Sequence, residues 1–312
     1  MGIARLALVA AAAWPARVGL LRAAEPVASR ASATSAPGAY QASGTASRPS
    51  WPDAALVTAC ERRLEGLRGV AGDGLRYRVE VPFVIAGDVS AAELERIARG
   101  TVCRAAEALW AGYFDRRPTE PITVLLLADA TSYTRYAERL FGDTDLPHFG
   151  YYRRRERTLV MNIATGTGTL VHELVHALGD YDFRGRPDWF DEGLASLYEQ
   201  CTLADGRIRG MVNWRLPALQ KALAAGTLRP LSELITADDF RGSREGLNYA
   251  HARYFCLYLE SQGWLQAYYR RFRDGFADDP TGLRFLPEVC NGQSVQDIDR
   301  AYRRWLATLA WR

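Results

Sequence analysis

Apolar and polar positions change period several times along the chain, and each change marks an element. Arg76 to Ile85 alternates polar and apolar over its first half, which predicts a strand, with Pro82 favouring a sheet edge because it has no N–H to give a ladder. The period then becomes helical. Ser90 and Glu93 have capping-box spacing, and Leu94, Ile97, Ala98, Val102, Ala105 and Leu109 recur one turn apart, predicting a helix to Tyr113. Pro121 to Ala128 carries Ile-Thr-Val-Leu-Leu-Leu, short and apolar enough for a buried strand, and Ser132 to Phe141 predicts a second helix. Phe149 to Tyr152 and Thr158 to Asn162 flank a charged stretch and predict a hairpin, with Arg153, Arg154, Arg155 and Arg157 as its solvated tip.

Beyond this point the spacing is helical. Trp189 to Gln200, Trp214 to Ala225, Leu247 to Ser261, Trp264 to Phe276 and Val295 to Leu309 each have the length and apolar period of a helix. The pattern predicts an α+β protein, with a strand-containing N-terminal lobe over 56–180 and an all-helical C-terminal lobe over 181–312.

Composition and the first residues refine this picture. Hydrophobic residues make up 48% of the 312 and charged residues 24%, which excludes wholesale disorder, and a net charge of +3 gives no argument for nucleic acid or an anionic membrane as partner. Residues 1–24 carry Arg5, the apolar run Leu6 to Trp14, and small residues including Ala11 and Ala13, the pattern of a signal peptide. That run is too short to span a bilayer, and Pro15, Arg17 and Arg22 interrupt the stretch beyond it, so no permanent anchor is expected. Residues 25–55, rich in Ala, Ser, Thr, Gly and Pro, predict a flexible linker. The expectation is an exported protein, periplasmic or extracellular. Cys60, Cys103, Cys201, Cys256 and Cys290 show no C-x-x-C spacing; disulfides and free buried thiols both remain open.

The chemistry is concentrated in His172-Glu173-Leu174-Val175-His176, which spells H-E-x-x-H. Histidines at i and i+4 stand one above the other on a helix face, so both imidazoles reach one Zn²⁺, while the glutamate projects beside them. Gly179 is expected to end this helix as a left-handed cap. A catalytic zinc takes three protein ligands and keeps one position open, so a third ligand is needed. Two carboxylates are placed to supply it. Glu192 lies in Pro187-Asp188-Trp189-Phe190-Asp191-Glu192-Gly193-Leu194-Ala195, where Pro187 suits the first turn of a helix, and Asp182 completes H-E-x-x-H-x-x-G-x-x-D.

The H-E-x-x-H and the downstream W-x-x-E-G-x-A together resemble the gluzincin zinc metallopeptidases of the peptidase MA-like families. That resemblance implies a zincin-like fold around a zinc cleft, Glu192 as third ligand, and hydrolysis of peptide bonds. Thermolysin-type members place an acid four residues after the ligand glutamate, where this chain has Ser196. The alternative spacing resembles metzincins, with Asp182 as third ligand and Met211 beneath the metal.

In either case Glu173 is the expected general base. A second donor for the oxyanion is sought among Tyr249, His251 and Tyr254, with Tyr249 placed first, and His148 reads as a loop residue. The expected partner is a peptide or protein substrate. With no G-x-M-E-N-like element to hold a free amine, an endopeptidase is favoured over an aminopeptidase. The other function classes are a zinc-containing binding protein without catalysis and a hydrolase of non-peptide amides.

Overall fold

A computed structural model describes residues 51–311, so the signal-peptide expectation for 1–24 and most of the linker fall outside the described residues. The linker's predicted end at 55 is overrun by α1 (Ala54–Ala71), whose N-terminus Asp53 caps by accepting the Leu56 N–H. The strand expected to run through Ile85 breaks at Val81-Pro82 into β1 (Arg76–Glu80) and β2 (Phe83–Gly87), paired antiparallel with Glu80 opposite Phe83. Pro82 therefore sits in the chain reversal. Having no N–H to place, it uses its carbonyl to accept the Ile122 N–H.

The long helix after Ser90 forms as α2 (Ala91–Ile97) and α3 (Arg104–Gly112), joined by a π-helical stretch over Ala98–Cys103. β3 (Ile122–Leu127), α4 (Ala130–Phe141), β4 (Gly150–Arg153) and β5 (Thr158–Asn162) come next, as expected. The sheet order is β1-β2-β3-β5-β4, with β2, β3 and β5 parallel and both outer strands antiparallel to their neighbours. Successive side chains of a strand point to opposite faces. On one face Ile122, Val124 and Leu126 join the core built with α3; on the other Leu125 and Leu127 pack with Tyr133 and Ala137 of α4. Both faces are covered, which is why β3 is almost uninterruptedly apolar.

The rest is α5 (Gly168–Asp182), α6 (Asp188–Leu197), β6 (Cys201–Ala204), β7 (Arg207–Gly210), α7 (Leu216–Ala224), α8 (Leu231–Thr236), α9 (Glu245–Ser261), α10 (Leu265–Asp274), α11 (Phe285–Val289) and α12 (Val295–Thr308). The C-terminal lobe is thus not all helical: β6 and β7 form a small antiparallel hairpin. One apolar cluster runs from Phe83 through Leu174 and Phe190 to Leu306, across the boundary expected at 180. α6 lies tight along α9, since a Cβ on Gly193 would meet the Ala252 carbonyl oxygen at 3.0 Å. All five cysteines are unpaired, three of them buried. Among the described residues no helix is long and apolar enough to cross a membrane.

Candidate metal centre

α5 is buried nearly all round, with Leu170, Val171, Leu174, Val175, Ala177 and Leu178 all inaccessible or nearly so. Such a helix sits between layers rather than on a surface. His172, Glu173 and His176 are polar exceptions within it, only 6%, 5% and 6% exposed, and must be satisfied locally. The helix does not stop at Gly179, as the sequence suggested; it runs on to Asp182. Gly179 is needed for space instead. A Cβ there would stand 2.6 Å from both terminal nitrogens of Arg186, a buried side chain folded back against the helix. Gly179→Ala should destabilise the protein by about 1–3 kcal/mol through this overpacking and weaken metal binding. Thermal melting checks it, and a variant melting at or above wild type would refute the packing argument.

α6 brings Glu192 to α5. His172, His176 and Glu192 are buried, and one ligand atom from each lies within 4.8 Å of the others. His172 Nε2 is 3.1 Å from His176 Nε2, and Glu192 Oε2 is 3.3 Å from the first and 3.5 Å from the second. Donors at about 2.0–2.1 Å from a tetrahedral zinc lie roughly 3.3 Å apart, so the triangle has the size of one face of a zinc polyhedron.

The far nitrogens decide what this triangle presents. His176 Nδ1 is 2.7 Å from Asp191 Oδ1, an acceptor, and His172 Nδ1 lies 3.3 Å from Glu199 Oε1, though off the hydrogen-bonding angle. With each Nδ1 protonated toward its carboxylate, both neutral rings turn an Nε2 lone pair inward. Among the described residues Glu192 Oε2 has no hydrogen-bond donor other than what these two imidazoles could supply. Three lone pairs facing one point with no proton between them fit a cation. Without one, protons compete for the same place: burial opposes charge on His172, but the adjacent carboxylates of Glu192 and Glu199, each 3.3 Å away, outweigh it and raise the pKa to about 9.

Arginines hold the two supporting carboxylates. Arg186 Nη2 is 2.6 Å from Asp191 Oδ1, and Arg154 Nη2 is 3.2 Å from Asp191 Oδ2. Arg215 makes contacts of 3.1 and 3.3 Å with the two oxygens of Glu199. The hairpin arginines are therefore not simply a solvated tip: Arg154 reaches back to Asp180 and Asp191, Arg153 pairs with Asp143 and Glu156, and Arg157 with Glu120. Glu173 differs from all of these carboxylates. Burial raises its pKa, the neighbouring imidazoles only oppose this, and among the described residues no arginine or hydrogen-bond donor holds it.

The remaining expected residues separate. Tyr249 belongs to the site: its hydroxyl accepts from Arg241 Nη1 at 2.8 Å, and Arg241 Nη2 donates to Glu192 Oε1 at 2.6 Å. Burial first, and then the charge of Glu192, raise its pKa. Tyr254 is committed to Asn213, whose N–H it accepts and whose carbonyl it donates to, both at 3.0 Å. Asp182 is not in the cluster; its carboxylate takes the Arg116 N–H, the Tyr269 hydroxyl and the Arg273 guanidinium. Met211, required beneath the metal by the same alternative, is 42% exposed. His148 stands before β4, edge-on to Phe149 at 4.8 Å.

His251 is buried against Tyr302, rings 5.6 Å apart and 12° from parallel, and neither of its nitrogens has a partner among the described residues. Burial, aided by Arg303, Arg229 and Arg244, lowers its pKa from 6.5 to about 3. A folded pKa below the unfolded one means that the unfolded chain binds the extra proton. Stability from this residue is full above pH 6.5 and falls by up to ~1.4 kcal/mol per pH unit as pH drops toward 3. His251→Leu should flatten the dependence of melting temperature on pH between 6.5 and 5; an unchanged slope would contradict the assignment.

Nothing in the sequence alone singles out Asp191, Glu199, Arg186, Arg215 or Arg241. Asp191 adjoins Glu192, but only the fold sets it opposite His176. Compared with protein-family models and with curated proteins, the chain matches none.

Proposed function

We propose that the protein is a zinc-dependent peptidase of the gluzincin type, with His172, His176 and Glu192 as ligands, and that it acts on peptides outside the cytoplasm, in keeping with the signal-peptide pattern. One observation carries the reading. Three donor atoms, two imidazole nitrogens and a carboxylate oxygen, converge beside Glu173, a buried carboxylate that no arginine pairs with among the described residues. Bound Zn²⁺ would supply a Lewis acid for the carbonyl and lower the pKa of a water to about 7.

The chain's own residues do the rest. Glu173, with its raised pKa, takes a proton from the attacking water as the new C–O bond forms, then gives it to the amide nitrogen as the C–N bond breaks, leaving a carboxylic acid and an amine. Tyr249 offers its hydroxyl to the carbonyl oxygen as charge grows there. Asp191 and Glu199 keep both imidazoles in the tautomer that faces inward. An extended peptide is the substrate class that best fits β4, an outer strand packed beside α5, because an open strand edge pairs with backbone.

The test is a mixed peptide library incubated with the zinc-loaded protein, with and without a chelator. Cleavage should stop with chelator and return with added Zn²⁺. Chelator-insensitive cleavage, or none by the loaded protein, would overturn the reading, and zinc bound without cleavage would point to a binding protein.

A further inference from the structure

Arg241, in the loop between α8 and α9, shares one guanidinium among Glu192 of the cluster, Tyr249 and the half-exposed Asp188. Nη2 donates to Glu192 Oε1 at 2.6 Å, Nη1 to the Tyr249 hydroxyl at 2.8 Å, and Nε to Asp188 Oδ2 at 3.0 Å. The other oxygen of Glu192 has no hydrogen-bond partner among the described residues, and it is the one 3.3 and 3.5 Å from the two histidines. We propose that Arg241 is a positioning residue that reserves Oε2 of Glu192 as a single metal donor and sets the direction in which Tyr249 gives its hydrogen. The Tyr249 part rests on the peptidase reading; the Glu192 part rests only on the metal centre.

Donors and acceptors decide both roles. A free carboxylate can bind a metal through one oxygen or both, and a charge-assisted hydrogen bond to one of them opposes the second mode. The ligand set then stays at three atoms and leaves a position open for water, as a catalytic site requires. Arginine only donates. The Tyr249 oxygen must therefore be the acceptor of the 2.8 Å contact, and its own hydrogen points away from Arg241. That hydrogen is then left for another acceptor, such as a substrate carbonyl. Arg241 is 31% exposed, so its planar fork is held by these partners rather than by packing. Lysine, a single point charge on a flexible stem, cannot hold all three at once.

The metal-free protein reconstituted with Co²⁺ provides the test, because Co²⁺ absorbs strongly in four-coordinate sites and weakly in five- or six-coordinate ones. Wild type should give the strong visible bands. Arg241→Gln should weaken them several-fold as both oxygens of Glu192 become donors, with Arg241→Lys in between; the lysine variant also serves if the glutamine variant does not fold. In the peptide assay Arg241→Gln should lower kcat about 10–100-fold with KM little moved. Combined with Tyr249→Phe it should be no worse than the more impaired single variant, since the two act as one unit. An unchanged Co²⁺ spectrum in Arg241→Gln overturns the role at Glu192, and additive losses overturn the link to Tyr249. Should zinc-loaded wild type cleave no peptide, the peptidase reading falls and the Co²⁺ spectrum alone decides the role of Arg241.

Discussion

Glu173→Gln should retain one zinc ion per chain and lose peptide hydrolysis by about 10²–10⁴-fold, the usual contribution of a positioned general base. The substitution keeps size and shape, so α5 and the three ligand atoms stay where they are. It removes only the ability to take a proton. The wild-type carboxyl suits that task because burial raises its pKa while no arginine neutralises it, in contrast to Asp191 and Glu199. A loss of that size corresponds to roughly 3–5 kcal/mol of transition-state stabilisation. Metal analysis and kcat/KM on the same preparation check it. Full activity would remove Glu173 from the mechanism, and loss of zinc would mean that it holds the site together instead.

Asp191→Ala should be the most damaging change outside the ligands. Asp191 Oδ1 meets both His176 Nδ1, at 2.7 Å, and Arg186 Nη2, at 2.6 Å. The Arg186 side chain is 2% exposed, and its other partners are the Phe183 carbonyl and a 4.0 Å contact with Asp180. Deleting the carboxylate leaves that guanidinium buried and largely uncompensated, which costs about 3–5 kcal/mol. It also frees the His176 ring to rotate, and zinc affinity should fall about 10–100-fold. Denaturant titration of the metal-free protein separates the first effect from the second. A variant as stable as wild type would show that Arg186 finds another partner.

The centre of the site is legible in the sequence because its chemistry is local: His172, Glu173 and His176 share one helix, and Glu192 lies one turn into the next. Tyr249, His251 and Tyr254 also share a helix, but spacing alone does not say which face meets the cleft. At 3.6 residues per turn they point in three directions, and only the first is linked to Glu192, through Arg241. Arg241 and Arg215 sit in loops, where no period exists to read. The fold shows the same division. β3 is legible because both its faces are buried, whereas β6 and β7, four residues each with exposed alternate positions, leave too little apolar signal. The α1 residues Leu56, Cys60, Leu64, Leu67 and Ala71 do recur at helical spacing, but the helix begins directly against the linker, whose composition masks its start.

The most direct test of the proposed zinc site is the dissociation constant of Zn²⁺, measured by competition with a chromophoric chelator, for wild type, Glu192→Gln and Asp182→Asn. Wild type should hold one ion tightly per chain, Glu192→Gln should lose affinity on the order of a thousandfold, ~4 kcal/mol, and Asp182→Asn should keep its stoichiometry. Wild-type affinity in the Glu192 variant, or its loss in the Asp182 variant alone, would contradict the assignment of Glu192 as third ligand.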